Sequence, residues 1–282
     1  MMLPPFTTEL SEEQAKQFLE DDFLTYDRSV EDEDLFALRH AFERVYENHE
    51  EVQPDHPRMI RRPHQYYDEP ELMAAVANPT VLAIARAALQ TDEFIYTGGY
   101  LARTRFSGIP DDRKNVGGWH ADMFLRQGSD YTRDDRVAVW IYLDELTRTE
   151  GATQLLPGAT ARIRENFIND LPAFTGLEAE VAHADTEVDG VYNEAPAGGG
   201  FSFKSFAGHT PRHNISGIPR RIVTIDFGVC GSEQIEREGG SCQFLRLSPE
   251  QQEVARAALP EEARWVMPVG TFEEFFHCLQ PA

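Results

Sequence analysis

Cysteine is scarce in this chain. The three present, Cys230, Cys242 and Cys278, are odd in number and form no CxxC pair. That pattern argues against a disulfide framework and a cysteine-built zinc site, and it suits free thiols in a reducing compartment. Positive charge is short as well: 26 Lys and Arg stand against 48 Asp and Glu, a formal net charge of −22. So acidic a surface repels phosphates, and neither nucleic acid nor an anionic membrane is an expected partner. Long apolar runs are missing too. The longest, Val137 to Leu143, falls far short of the roughly 20 residues that span a bilayer. Met1 to Leu10 carry no basic or apolar signal segment, and a cytoplasmic protein is expected. Nor is there a phosphate loop. Gly198-Gly199-Gly200 lies in no GxGxxG or P-loop pattern and reads as a tight turn.

What is present begins with helices. Ser11-Glu12-Glu13-Gln14 has the form of a capping box, and Ala15, Phe18 and Leu19 follow at helical spacing. Leu35, Leu38, Phe42 and Val45 mark a second amphipathic helix within 32–48. Residues 49–70 are polar and Pro-punctuated and read as a loop. Leu72 to Val76 suggests a short helix, and Asn78-Pro79 opens another to about Leu89. From Phe94 the character changes to strands: Phe94 to Tyr96, Tyr100 to Phe106, Val137 to Leu143, Gly151 to Leu156, Phe201 to Phe206 and Ile222 to Phe227. Val137 to Leu143 is apolar on both faces, as a central strand would be. Residues 161–186 read as an irregular acidic insertion, and Ser248-Pro249 opens a helix through Leu259. Thr271 and Glu274 suggest a last cap. No repeat or linker divides the chain. One α+β domain, mainly β, is expected over 1–282, with a helical part at about 10–90, a barrel core at about 93–230 and a C-terminal extension at about 231–282.

The chemistry concentrates at Gly117-Gly118-Trp119-His120-Ala121-Asp122-Met123-Phe124. On a strand, residues two apart share a face, so His120 and Asp122 project into the same space. That is two-thirds of a two-His-one-carboxylate facial triad on non-haem iron. A second His-x-Asp, His183 and Asp185, competes. It lies only 26 residues before His209, the best third ligand, against 89 for His120, and it has no apolar strand beside it. The longer gap leaves room for antiparallel strands to close a barrel and return. His40, His49, His56, His64 and His277 sit in helical or loop contexts without partners.

The stretch His209-Thr210-Pro211-Arg212-His213-Asn214-Ile215-Ser216-Gly217-Ile218-Pro219-Arg220-Arg221 completes the pattern. Here the chain resembles the phytanoyl-CoA dioxygenase family of Fe(II)- and 2-oxoglutarate-dependent oxygenases. That family has His-x-Asp, a long gap, then His with Asn at +5, Ser at +7 and Arg at +11, met here by Asn214, Ser216 and Arg220. From His213 the +11 position would be Thr224, which does not fit. The strand around Trp140 and the Gly151 to Gly158 element add to the resemblance.

The resemblance implies a double-stranded β-helix with helices packed outside. It implies Fe(II) on His120, Asp122 and His209, with 2-oxoglutarate and O2 on the open positions. It implies that Arg220 anchors the far carboxylate, a task suited to a permanently charged, bidentate guanidinium. Asn214, Ser216 and Trp140 are expected nearby. Arg103 and Arg105, on the strand before the charged loop, are further candidates for carboxylate contacts. The departures are Ala159-Thr160 after Pro-Gly, where Ser-His is frequent, Gly199-Gly200 for Gly-Asp, and Pro211 where some members place a serine near the co-substrate.

The activity implied is hydroxylation of a small molecule. Desaturation, cyclisation or epimerisation at the same iron remains a rival, and so does a non-catalytic small-ligand barrel. Asp122 speaks against halogenation, since family halogenases leave that position open for chloride. Trp119, Met123 and Phe124 border the metal strand, and Arg61-Arg62 stands ready for an anionic substrate group. Monomer and homodimer are equally compatible with the sequence.

Overall fold

A computed structural model describes residues 10–47, 58–60, 67–104, 119–122, 135–169, 190–229, 244 and 247–270. The first helix, α1 (Glu12–Asp21), starts on the expected capping box. Ser11 Oγ accepts from Gln14 N at 3.2 Å, and Gln14 Oε1 accepts from Ser11 N at 3.0 Å. Strand β1 (Phe23–Tyr26) and helix α2 (Asp32–Glu47) follow. The expected stripe of Leu35, Leu38, Phe42 and Val45 is buried. Next come β2 (Arg58–Ile60), α3 (Pro70–Val76) and α4 (Pro79–Leu89). Asn78 caps α4, its side chain accepting from Thr80 N at 2.9 Å.

The remaining strands are β3 (Phe94–Gly98), β4 (Leu101–Thr104), β5 (Arg136–Tyr142), β6 (Gln154–Leu155), β7 (Val191–Tyr192), β8 (Gly200–Lys204), β9 (His209–Thr210) and β10 (Arg220–Val229). Helix α5 (Thr160–Asn169) lies between β6 and β7. Helix α6 (Pro249–Ala257) and a 3-10 turn at Glu261–Val266 follow β10. Seven strands form one sheet, ordered β1-β8-β5-β10-β4-β2, with β3 also paired to β10. The second sheet is β7-β6-β9. Every pairing is antiparallel. This is the double-stranded β-helix, and a helix-sandwiched parallel sheet is excluded.

The large sheet has two different faces. Val137, Val139 and Ile141 of β5 and Val223, Ile225 and Phe227 of β10 join Phe18, Leu38 and Phe42 in the core beneath the helices. Ala138, Trp140, Tyr142, Phe201, Phe203 and Ile222 form a second core between the sheets, with Leu155 opposite. That double burial is why Val137 to Leu143 lacks any polar alternation. Each fully buried Phe contributes about 1.5–3 kcal/mol relative to exposure. Among the described residues no single helix is long and apolar enough to cross a membrane. The apolar pair α3 and α4 lies largely in the core.

Several details differ from the sequence reading. Strand β1 was not foreseen. It adds to the sheet edge through Phe23↔Phe203 and Tyr26↔Gly200. The loop expected over 49–70 contains β2, held by Met59↔Ala102. The strand expected over Gly151 to Leu156 shortens to Gln154–Leu155, because Gly151 turns the chain at φ +83. A Cβ there would sit 2.7 Å from Arg212 O, so the close approach of the two segments requires glycine. Gly200 has a similar reason, a Cβ falling 2.0 Å from Trp140 O.

Candidate active site

β9 returns the chain beside the His120 segment. Two backbone bonds clamp the pair: His120 N donates to His209 O at 2.9 Å, and His209 N donates to His120 O at 2.8 Å. The rings lie with centroids 4.3 Å apart. Asp122, two residues from His120, faces the same space. Its Oδ1 is 3.8 Å from His120 Nε2 and 4.0 Å from His209 Nε2. One ligand atom from each of the three lies within 4.8 Å of the others. Among the described residues no other His, Cys, Asp or Glu group is so placed.

His209 is buried, whereas His120 and Asp122 are half-buried. His209 Nδ1 donates to Ala207 O at 3.0 Å. That bond fixes the tautomer and leaves the Nε2 lone pair facing Asp122. Burial lowers the His209 pKa below the ordinary histidine value, against the opposing pull of Asp122. A neutral imidazole is the form that binds a metal. Phe203 packs its ring 4.8 Å from that of His209.

Arg220 opens β10 and points between the sheets, where its Nη1 donates to Gly151 O. Burial lowers its pKa, while Tyr142 and Tyr100 favour its charge. The loop before it explains how it gets there. Asn214 Oδ1 accepts from Ser216 N and Ser216 Oγ, each at 3.1 Å, and Asn214 Nδ2 donates to Ile218 O at 2.6 Å. Asn214 and Ser216, expected near the co-substrate, thus build the turn that delivers Arg220. Ile215 N and Ser216 N tie this turn to Thr149 O at 2.8 and 3.1 Å.

Trp140 stands on the same interior, packed against Phe201 at 4.8 Å, Phe203 at 5.5 Å and Tyr100 at 6.1 Å between centroids. Its indole Nε1 is buried and has no hydrogen-bond partner among the described residues. The same holds for Thr153 Oγ1. Buried donors left this way cost free energy unless a ligand meets them. Such donors suit a polar co-substrate in this interior. Beside Asp122 a shallow recess is lined by Arg136, Ala138, Phe203, Lys204 and Ser205.

Arg103 does not join this interior. It lies across from Arg221 on β4, pairs with Glu43 at 3.4 Å and covers the Tyr46 ring, because alternate strand residues face the helices. Arg105, Arg61, Arg62, Met123, Phe124, His183 and Asp185 lie outside the described residues. Tyr142, Asn193 and Arg136 escaped the sequence reading. Tyr142 had a legible signal, since it shares a strand face with Trp140. Asn193 had none.

An antiparallel double-stranded β-helix with a His–Asp–His cluster and an arginine in its interior is the pattern of the iron- and 2-oxoglutarate-dependent oxygenases. The chain belongs to the phytanoyl-CoA dioxygenase (PhyH) family, whose model matches residues 13–222. Its cofactors are accordingly iron(II) and 2-oxoglutarate, with O2 as oxidant. A search of curated proteins returns no match. Solved structures share the fold. The non-haem α-ketoglutarate-dependent carbocyclase SnoK from nogalamycin biosynthesis aligns with a TM-score of 0.61 at 18% identity, covering 80% of this chain and 87% of that one. The epimerase SnoN from the same biosynthesis gives 0.58 at 11% identity, covering 78% and 83%. HygX from Streptomyces hygroscopicus, solved with nickel and 2-oxoglutarate bound, gives 0.56 at 13% identity, covering 78% and 87%.

Proposed function

We propose that this oxygenase hydroxylates a small-molecule metabolite in the cytoplasm, with the whole chain acting as one catalytic domain. The observation that carries the reading is the His120, Asp122 and His209 cluster facing an interior that also holds Arg220 and Trp140. In this reading His120, Asp122 and His209 hold the iron from one side, and the Asp122 carboxylate offsets part of its charge. Ala207 fixes the orientation of His209 through its carbonyl. Arg220 anchors the far carboxylate of 2-oxoglutarate, and the Trp140 indole N–H donates to the same molecule. Arg105 remains a proposed further contact. Bound iron and 2-oxoglutarate would supply the oxidising power, O2 and 2-oxoglutarate being converted to succinate, carbon dioxide and one oxygen atom for the substrate. The aromatic wall of Phe201, Phe203 and Trp140 keeps water from the reacting groups.

A second reading keeps the iron chemistry and changes the outcome, favoured by the carbocyclase and the epimerase among the structures that share this fold. One experiment addresses both. The iron-loaded protein is supplied with 2-oxoglutarate under air and screened against acyl-CoAs, amino acids, and terpenoid and polyketide metabolites. Succinate release coupled to a product heavier by one oxygen is expected. A product lacking two hydrogens, or an unchanged mass with inverted configuration, gives the second reading. No succinate with any substrate overturns both and leaves the small-ligand barrel.

A further inference from the structure

The inner face of the large sheet carries a cation at each end. Arg220 opens β10 at one end. At the other, Arg136 lies opposite Gly228 and shares the face of Ala138 and Trp140, two and four residues further along β5. Gly228 is the eighth residue after Arg220, so about 25 Å of strand separates the two arginines. One five-carbon co-substrate cannot meet both. The Arg136 end adjoins the metal cluster. Arg136, Ala138, Phe203, Lys204 and Ser205 line the recess beside Asp122. Phe203 packs on His209, and the charge of Arg136 is felt there, contributing to the low His209 pKa.

The ion pairs around this recess are long. Arg136 Nη2 lies 3.5 Å from Asp226 Oδ2, and Lys204 Nζ lies 3.9 Å from Asp22 Oδ1. Arg164 already donates to the other Asp22 oxygen at 3.1 Å. The Arg136 and Lys204 side chains are mostly buried, where water screens their charge less than at the surface. Ser205 Oγ is buried and has no hydrogen-bond partner among the described residues, which costs free energy unless a ligand meets it. The one acidic residue lining the recess, Asp122, is a member of the metal cluster. In a chain of net charge −22, two cations converging beside the metal make a local exception. Such a spot gathers a small anion that the rest of the surface repels.

We propose that the recess beside Asp122 holds an anionic group of the primary substrate, a carboxylate or a phosphate, through Arg136, Lys204 and the Ser205 hydroxyl. The substrate class of this oxygenase is then a small organic anion, oriented over the iron by the end of the sheet opposite Arg220. The inference rests on the 2-oxoglutarate-dependent reading. Guanidinium and ammonium supply charge-assisted bonds, and Asp226 is a positioning residue that acts through Arg136.

The test uses full-length protein saturated with iron(II) and 2-oxoglutarate, without oxygen. Benzoate, phenyl phosphate and benzamide are titrated in turn. They share the ring and differ in the group offered to the recess. Binding is read from ligand proton relaxation, which the paramagnetic iron enhances only for molecules held close to it. Wild type should favour one of the two anions over benzamide by at least about tenfold. Preference for benzoate makes the substrate group a carboxylate, and preference for phenyl phosphate makes it a phosphate. Arg136→Gln/Lys204→Gln should abolish the preference and leave benzamide binding unchanged. If that variant does not fold, Lys204→Gln/Ser205→Ala carries the same expectation at about fivefold or more. No preference for either anion in wild type overturns the inference and leaves the oxygenase reading standing. A preference that survives in the folded variants overturns it too, because the anion then sits elsewhere near the metal. So does equal weakening of all three ligands, which would be general damage. Failure of wild type to bind 2-oxoglutarate in the first place overturns the reading underneath.

Discussion

Arg220 and Arg221 are neighbours on one strand with one charge, and the fold treats them oppositely. Arg220 faces the space between the sheets, where burial disfavours its charge. Arg221 faces the helices. It donates to both oxygens of Asp144, at 2.8 and 2.6 Å, and to Glu43 at 2.8 Å. Those bonds, Asp144 first, raise its pKa further. The outer arginine fastens the sheet to α2 and to the end of β5. The inner one is buried where burial disfavours its charge, with Tyr142 and Tyr100 opposing and Gly151 O accepting from its Nη1. The contrast extends to the whole sheet: one face packs under the helices, and the other lines the space between the sheets.

Substitutions on the two faces should therefore separate. The largest effect is expected from Asp122→Ala, which removes the charged member of the cluster. Iron content and succinate formation should fall to background, with circular dichroism unchanged, while Asp185→Ala keeps both. Phe42→Ala, on the helix side, should cost about 3–5 kcal/mol in denaturant unfolding and leave 2-oxoglutarate affinity intact in the folded fraction. Arg221→Ala strands Asp144 and should cost roughly 1–3 kcal/mol by the same measurement, again without touching affinity. Ser11→Ala, which breaks only the α1 cap, should cost about 1 kcal/mol. An outer-face substitution that altered 2-oxoglutarate binding as strongly as an inner one would break the division.

Legibility in the sequence followed the distance over which each feature is determined. The Ser11 capping box and the Asn78 cap depend on a few adjacent residues and were readable. So was β5, where burial on both faces erases polar alternation. The cluster of His120, Asp122 and His209 is long-range, yet fixed offsets around His209 made it visible. Strands β1 and β2 were not visible, because short edge segments become strands through partners far along the chain, Phe203 for Phe23 and Ala102 for Met59. The direction of Arg103 depended on sheet register. The roles of Asn214 and Ser216 in their turn, and the link from Asn193 to Tyr142, needed coordinates, since nothing local marks which oxygen or nitrogen they meet.

The inner and outer arginines give the most direct test. Iron-loaded wild type, Arg220→Ala and Arg221→Ala are titrated with 2-oxoglutarate in the absence of oxygen. Charge-assisted hydrogen bonds contribute about 1.5–3 kcal/mol each, so Arg220→Ala should weaken binding at least tenfold. Arg221→Ala should bind as wild type does. Wild-type affinity in Arg220→Ala, or a matching loss in Arg221→Ala, would contradict the account.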